Sequence, residues 1–147
     1  MAERFYLIDG SAFAYRSFFA IRAELRDSRG RPTNAAYGFA RVLLKTLREE
    51  DPQYIAVVFD APGRSFRAHI YEPYKATRRA TPPELSAQLP MMDEIVKAFN
   101  IPVLRIADVE ADDVLATLAR RIEAAGMEAV IVTGDKDLLQ LVRDGVR

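Results

Sequence analysis

Asp108, Glu110, Asp112 and Asp113 place four carboxylates within six consecutive residues, with no basic residue among them. Like charges this close repel one another, and a multivalent cation removes the repulsion; hard oxygen donors suit Mg²⁺ or Mn²⁺. Acidic residues also favour a helix N-terminus, where they cap free N–H groups and face the positive end of the macrodipole. The cluster lies between an apolar run, Ile101 to Ile106, and an amphipathic run, Val114 to Ile122. It is therefore expected at the end of a strand and in the first turn of a helix. Asp9, Asp60, and Asp135 with Asp137 end three other apolar runs. Open parallel sheets bind ligands beyond the carboxyl ends of their strands. Four strand ends carrying this many acids predict a divalent-metal site, and two ions about 4 Å apart would use them. Such a pair serves hydrolytic phosphoryl transfer rather than acid–base chemistry on a carbonyl.

The elements that must hold these side chains read as alternating strands and helices. Arg4 to Ile8 is expected to be a strand, and Ser11 is expected to cap a helix through Ala12 to Phe19. A helix over Ala35 to Glu50 stops at Asp51-Pro52. A strand follows at Tyr54 to Phe59, and Thr81-Pro82-Pro83-Glu84 opens a third helix reaching about Asn100. Pro102 to Ile106 is read as the third strand, Val114 to Ala125 as a helix closed by Gly126, and Met127 to Val132 as the fourth strand. A helix begins at Leu138 to Val142 and has hardly started when the chain reaches Arg147, so a piece of a longer protein is expected. Strands that are apolar nearly end to end predict an α/β fold with a parallel sheet covered on both faces.

With 147 residues, half of them hydrophobic and 29% charged, the chain suits one globular domain with a real core. Formal net charge is zero, so overall charge gives no argument for nucleic acid and only local patches can. One such patch is Arg64 to Arg79. It holds Arg64, Arg67, Lys75, Arg78 and Arg79 against Glu72 alone, with Phe66, Tyr71 and Tyr74 interleaved. Cations there can hold phosphates, and Tyr15, Phe66 or Tyr74 can stack on a base; a solvated loop is the plainer alternative. The absence of Cys excludes disulfides and thiolate metal sites, and the single His69 argues against a histidine zinc site. No phosphate-loop, dinucleotide or serine-elbow motif is present. No apolar run is long enough to span a membrane, and Met1 to Phe5 does not resemble a signal peptide, so a cytoplasmic protein is expected.

Five segments then fall in a recognisable order and spacing: Leu7-Ile8-Asp9-Gly10-Ser11, Val58-Phe59-Asp60, Tyr74-Lys75-Ala76-Thr77-Arg78, Glu110-Ala111-Asp112-Asp113 and Thr133-Gly134-Asp135-Lys136-Asp137. Through them the chain resembles the amino-terminal part of the 5′-nuclease domain of bacterial DNA polymerases I, within the flap endonuclease superfamily, from about Phe5 to Leu141. The resemblance implies a PIN-like α/β fold with a basic helical arch at about residues 64–83. It implies a structure-specific nuclease of replication and repair that cuts DNA at 5′ flaps and 5′ ends, removes RNA primers at RNA–DNA junctions, and leaves a 5′-phosphate and a 3′-hydroxyl. Carried over by position, Asp9, Asp60, Glu110 and Asp112 look like the ligands of a first ion, with Asp113 bound beside them directly or through water. Asp135 and Asp137 look like part of a second-ion set. Lys75 and Arg78 match arch residues that engage the scissile phosphate and, with Asp112 and Asp113, form the implied catalytic group. Tyr15, Arg16, Tyr74 and Arg79 match DNA-facing positions.

Two Mg²⁺ or Mn²⁺ ions, a polymerase domain in cis and a monomeric state are implied for the intact protein. The family domain continues for about as long again, supplying further second-ion carboxylates and a duplex clamp, so residues 1–147 correspond to its N-terminal part. The rival readings are a DNA-binding piece without catalysis and a PIN-type ribonuclease, the latter opposed by the basic Tyr74 to Arg79 stretch. An aspartyl phosphatase would need a second acid where Ser11 stands.

Overall fold

The computed structural model describes residues 3–61 and 81–147. Four parallel strands, β1 (Arg4–Asp9), β2 (Tyr54–Val58), β3 (Val103–Leu104) and β4 (Glu128–Val132), form one sheet in the order β3-β2-β1-β4. Among the described residues the helices are α1 (Gly10–Ala20), α2 (Asn34–Glu50), α3 (Pro83–Ser86), α4 (Leu89–Ala98) and α5 (Ala111–Ala124), and a 3₁₀ helix covers Lys136–Leu141. Side chains alternate across a strand, so each strand feeds two cores. Ile8, Val57 and Phe59 pack with Phe13, Phe39, Leu43, Leu85, Met92 and Val96 from α1 to α4. Leu7, Ala56, Val58 and Ala129 pack on the other face with Val114, Leu115, Ala119 and Ile122 of α5. Two buried faces explain why the strands read as continuous apolar runs. Each fully buried Leu, Ile or Val contributes about 1.5–3 kcal/mol.

Register fixes where the strands end. Asp9 pairs with Val58, Ile8 with Val132, and Val58 with Leu104. The four carboxyl ends are therefore level, and the residues that follow them share one edge.

The expected parallel α/β architecture is present, with local differences that have physical causes. The helix expected to open at Thr81-Pro82-Pro83-Glu84 and reach about Asn100 is broken at Ala87 and Gln88 into α3 and α4. Pro90 has no N–H to continue the ladder, and Gln88, fully buried, spends its side chain elsewhere. Its Oε1 accepts from Ala36 N at 3.0 Å, and its Nε2 donates to Asn34 Oδ1 at 2.8 Å and Glu84 O at 3.1 Å. Ala36 lies in the first turn of α2, where Thr33 makes no side-chain cap. A glutamine from a distant segment thus satisfies an orphan helix donor. Asn34 extends the link by donating to Phe18 O and Ile21 O, both at 3.0 Å. Close approach of α1 to α2 requires Gly38, because a Cβ there would run into Ser17.

The third strand is shorter than expected. Arg105 leaves the ladder to pair with Asp93 at 2.9 Å and to lie over the Phe59 ring at 5.0 Å. The final helical stretch is 3₁₀ rather than α, and it turns back so that Val146 bridges Ala129 in parallel. The basic segment expected as an arch, with Tyr74, Lys75, Arg78 and Arg79, lies outside the described residues except for its last positions. Among the described residues no helix is long and apolar enough to cross a membrane.

Replacing Gln88 by Leu removes its amide and strands the Ala36 N–H. Chemical denaturation is expected to show a loss of about 1–3 kcal/mol. An unchanged midpoint would show that α2 does not depend on this cap.

Candidate active site

The level strand ends bring acids from all four strands to one edge. Asp9 ends β1 and caps α1, its Oδ1 accepting from Ala12 N at 3.3 Å. The cap was expected from Ser11; that hydroxyl instead accepts from Asp60 N at 2.8 Å, tying the end of β2 to the start of α1. Gly10 permits the approach, since a Cβ there would stand 2.6 Å from the Phe59 ring. Asp60 Oδ1 accepts from Ala111 N at 2.7 Å, which anchors the first turn of α5 to β2. Glu110 is the N-cap of α5, and its N–H donates to Asp113 Oδ2 at 3.1 Å. At the end of β4, Asp135 Oδ1 accepts from Asp137 N at 2.9 Å and starts the 3₁₀ helix. Thr133 sits between Asp9 and Asp135. Its hydroxyl donates to Asp9 Oδ2 at 2.7 Å and accepts from Asp135 N at 3.0 Å.

Electrostatics shows which of these acids form a group. Burial pushes the Asp9 carboxyl above its ordinary range; the bonds from Thr133 and Ala12 oppose this, and the charges of Asp60 and Asp135 add to it. Asp112 is pushed up to about 6, first by its half-burial and then by the charges of Asp9, Asp135, Asp60 and Glu110. Asp112 thus feels four other carboxylates, drawn from four chain segments in all. Asp113 is turned to its cap, Asp137 is exposed beyond Asp135, and Asp108 stands in an exposed turn with φ of 66°. Among the described residues no three of these acids are gathered closely enough to hold a single ion as they stand. Asp9, Asp60, Asp113 and Asp135 accept hydrogen bonds from backbone N–H groups, and Asp9 also from Thr133. The donors of the coupled set are all oxygen, which suits hard divalent cations.

Arg16 lies beside this group. Its guanidinium packs against Gly134, and it lines a cavity of about 300 Å³ with Thr133, Asp135, Lys136 and Leu138. Tyr15 is 41% exposed, and its hydroxyl shares a hydrogen bond with Thr81 Oγ1. Sequence reading missed the linking roles of Ser11 and Thr133. The available signal was a hydroxyl residue two positions past one strand-end acid and two before another.

The family described as 5′-3′ exonuclease, N-terminal resolvase-like domain, matches residues 4–147. The chain belongs to that family. It is 51% identical over 142 residues to a DNA polymerase I of Chloroflexus aurantiacus, covering 96% of this chain and 15% of the relative. It is 48% identical over 141 residues to a 5′-3′ exonuclease of Aquifex aeolicus, covering 96% of this chain and 48% of the relative. The chain therefore spans less than half the length of either relative. Among solved structures it is similar to the T5 D15 protein co-crystallised with metal ions, at a TM-score of 0.72 and 18% identity over 98% of this chain and 54% of that one. It also resembles a T5 D15 flap endonuclease in a complex with DNA and metal ions, at a TM-score of 0.62 and 20% identity over 98% of this chain and 53% of that one. Those likenesses establish the PIN-like fold.

Asp112→Asn tests the coupling. The Asp112 carboxyl titrates near 6 in the folded chain against an ordinary value of 3.8, so the folded state takes up the proton first as pH falls. The cost of its charge is fully present above about pH 6 and disappears as pH drops toward 4. In chelator at about pH 7 the variant is expected to be more stable by on the order of 1–2 kcal/mol, allowing for partial solvent screening. The gain should vanish near pH 4. A thermal melt showing equal gains at both values, or a loss, contradicts the coupling.

Proposed function

We propose that this chain is the N-terminal part of a 5′-nuclease domain, carrying the carboxylate face of a metal-dependent, structure-specific nuclease. The observation that supports it most is the coupling of Asp112 to Asp9, Asp60, Glu110 and Asp135 at the carboxyl edge of a parallel sheet, in a member of the 5′-3′ exonuclease family. The reaction is hydrolysis of phosphodiesters at 5′ ends and 5′ flaps of branched DNA, including RNA–DNA primer junctions, with a polymerase domain in cis in the full-length protein.

Asp9, Asp60, Glu110 and Asp112 would hold a first Mg²⁺ or Mn²⁺, with Asp113 beside them; Asp135 and Asp137 would contribute to a second. When bound, such cations polarise a phosphodiester and activate water. The chain's own residues do the rest. Ser11 and the Ala111 N–H fix Asp60 between β2 and α5. Ala12 N–H and Thr133 fix both oxygens of Asp9. Arg16 places a cation at the β4 edge of the carboxylate group, where a phosphate backbone would meet it. By resemblance, Lys75 and Arg78 engage the scissile phosphate and offset charge in the transition state, while Tyr15, Tyr74 and Arg79 meet the DNA.

The test is cleavage of a 5′-labelled flap DNA by this chain with Mg²⁺ or Mn²⁺, beside an EDTA control and Asp112→Ala. Metal-dependent product that disappears in the variant is expected. Product that survives in Asp112→Ala would contradict the ligand assignment. A folded wild-type chain that binds the flap but releases no product would favour a DNA-binding role for the piece alone.

A further inference from the structure

Thr133 belongs to none of the ligand sets above, yet it touches two of them. Its hydroxyl is within hydrogen-bond distance of Asp9 Oδ2, at 2.7 Å, and of Asp135 N, at 3.0 Å. The direction of both bonds is forced. A backbone N–H can only donate, so the oxygen accepts from Asp135. The single hydroxyl proton is then left for the Asp9 carboxylate, which can only accept while ionised. Ala12 N holds the other oxygen of Asp9 at 3.3 Å, so each carboxylate oxygen is oriented by one donor and keeps a lone-pair direction open. On the other side, Asp135 Oδ1 accepts from Asp137 N at 2.9 Å. One hydroxyl therefore closes a chain of hydrogen bonds from Asp137 through Asp135 to Asp9. Parallel register supplies the geometry: Ile8 pairs with Val132, so Thr133 follows beside Asp9.

We propose that Thr133 is a positioning residue whose hydroxyl locks Asp9 and the Asp135 loop into one unit, so that the two ion sites of the proposed nuclease form together. The inference rests on the metal-site reading above, but its physical core is independent of it. Valine has the shape of threonine and lacks both hydrogen-bonding capacities. Serine keeps them and loses only the methyl group.

The experiment compares the wild-type chain with Thr133→Val and Thr133→Ser, each checked for folding by circular dichroism. Two readouts are taken: hydrogen exchange at the Asp135 amide by NMR, and Mn²⁺ binding by calorimetry. Thr133→Val is expected to speed exchange at Asp135 and to weaken Mn²⁺ binding by about 10–100-fold, the usual range for losing a partner that orients a metal ligand. Thr133→Ser is expected to restore both. Wild-type exchange in the Val variant overturns the proposal. Equal impairment in Val and Ser does the same, because it assigns the effect to packing of the methyl group. If the wild-type chain takes up no Mn²⁺, the ion reading fails, and with it the joint formation of two sites; the amide then shows separately whether the hydroxyl holds the loop.

Discussion

Repulsion among carboxylates is the constraint on which the rest of this structure turns. Burial of Asp112, and after it the charges of Asp9, Asp135, Asp60 and Glu110, raise its carboxyl to about 6. The hydrophobic effect carries this cost from a distance, through two cores packed on opposite faces of one sheet. Each core anchors a different part of the site. The α1–α4 side fixes Phe59 and the start of α1, and the α5 side fixes the turn that carries Glu110 to Asp113.

Register converts that packing into position. Because Asp9 is level with Val58 and Ile8 with Val132, a one-residue slip in either ladder would send an acid to the wrong height and swap the faces of the strand. Short polar links then make the final adjustment. Ser11 reaches Asp60, Asp60 reaches Ala111, and Thr133 joins Asp9 to Asp135. These bonds use the donors left over at strand ends and helix starts, so the same groups that begin the helices orient the acids.

Much of this was legible in the sequence because it depends on local pattern. The apolar runs located the strands, and the acids that close those runs located the edge of the sheet. The five motif segments pointed to the family. What was not legible depends on contacts between distant residues. Gln88 capping α2 across 52 positions leaves no periodic trace, and it explains, with Pro90, why one expected helix is two. Arg105 shortens β3 because Asp93 and Phe59 offer it a better place than the ladder. The position of Ser11 suits a cap, but Asp9, already oriented at the strand end, takes that role. The motif acids divide for a similar reason: Asp113 is claimed by the Glu110 N–H while Asp112, on the next side of the helix, faces the other charges.

Asp112 is the point at which charges from four chain segments meet. The most direct measurement is a ¹³C-carboxyl NMR titration of Asp112, in the wild-type chain and in Asp9→Asn and Asp135→Asn, without divalent metal and then with Mg²⁺. Titration near 6 is expected in the metal-free wild type, with a lower value in each variant and a lower value again when Mg²⁺ is present. An Asp112 that titrates near the ordinary 3.8, indifferent to both substitutions and to Mg²⁺, would contradict it.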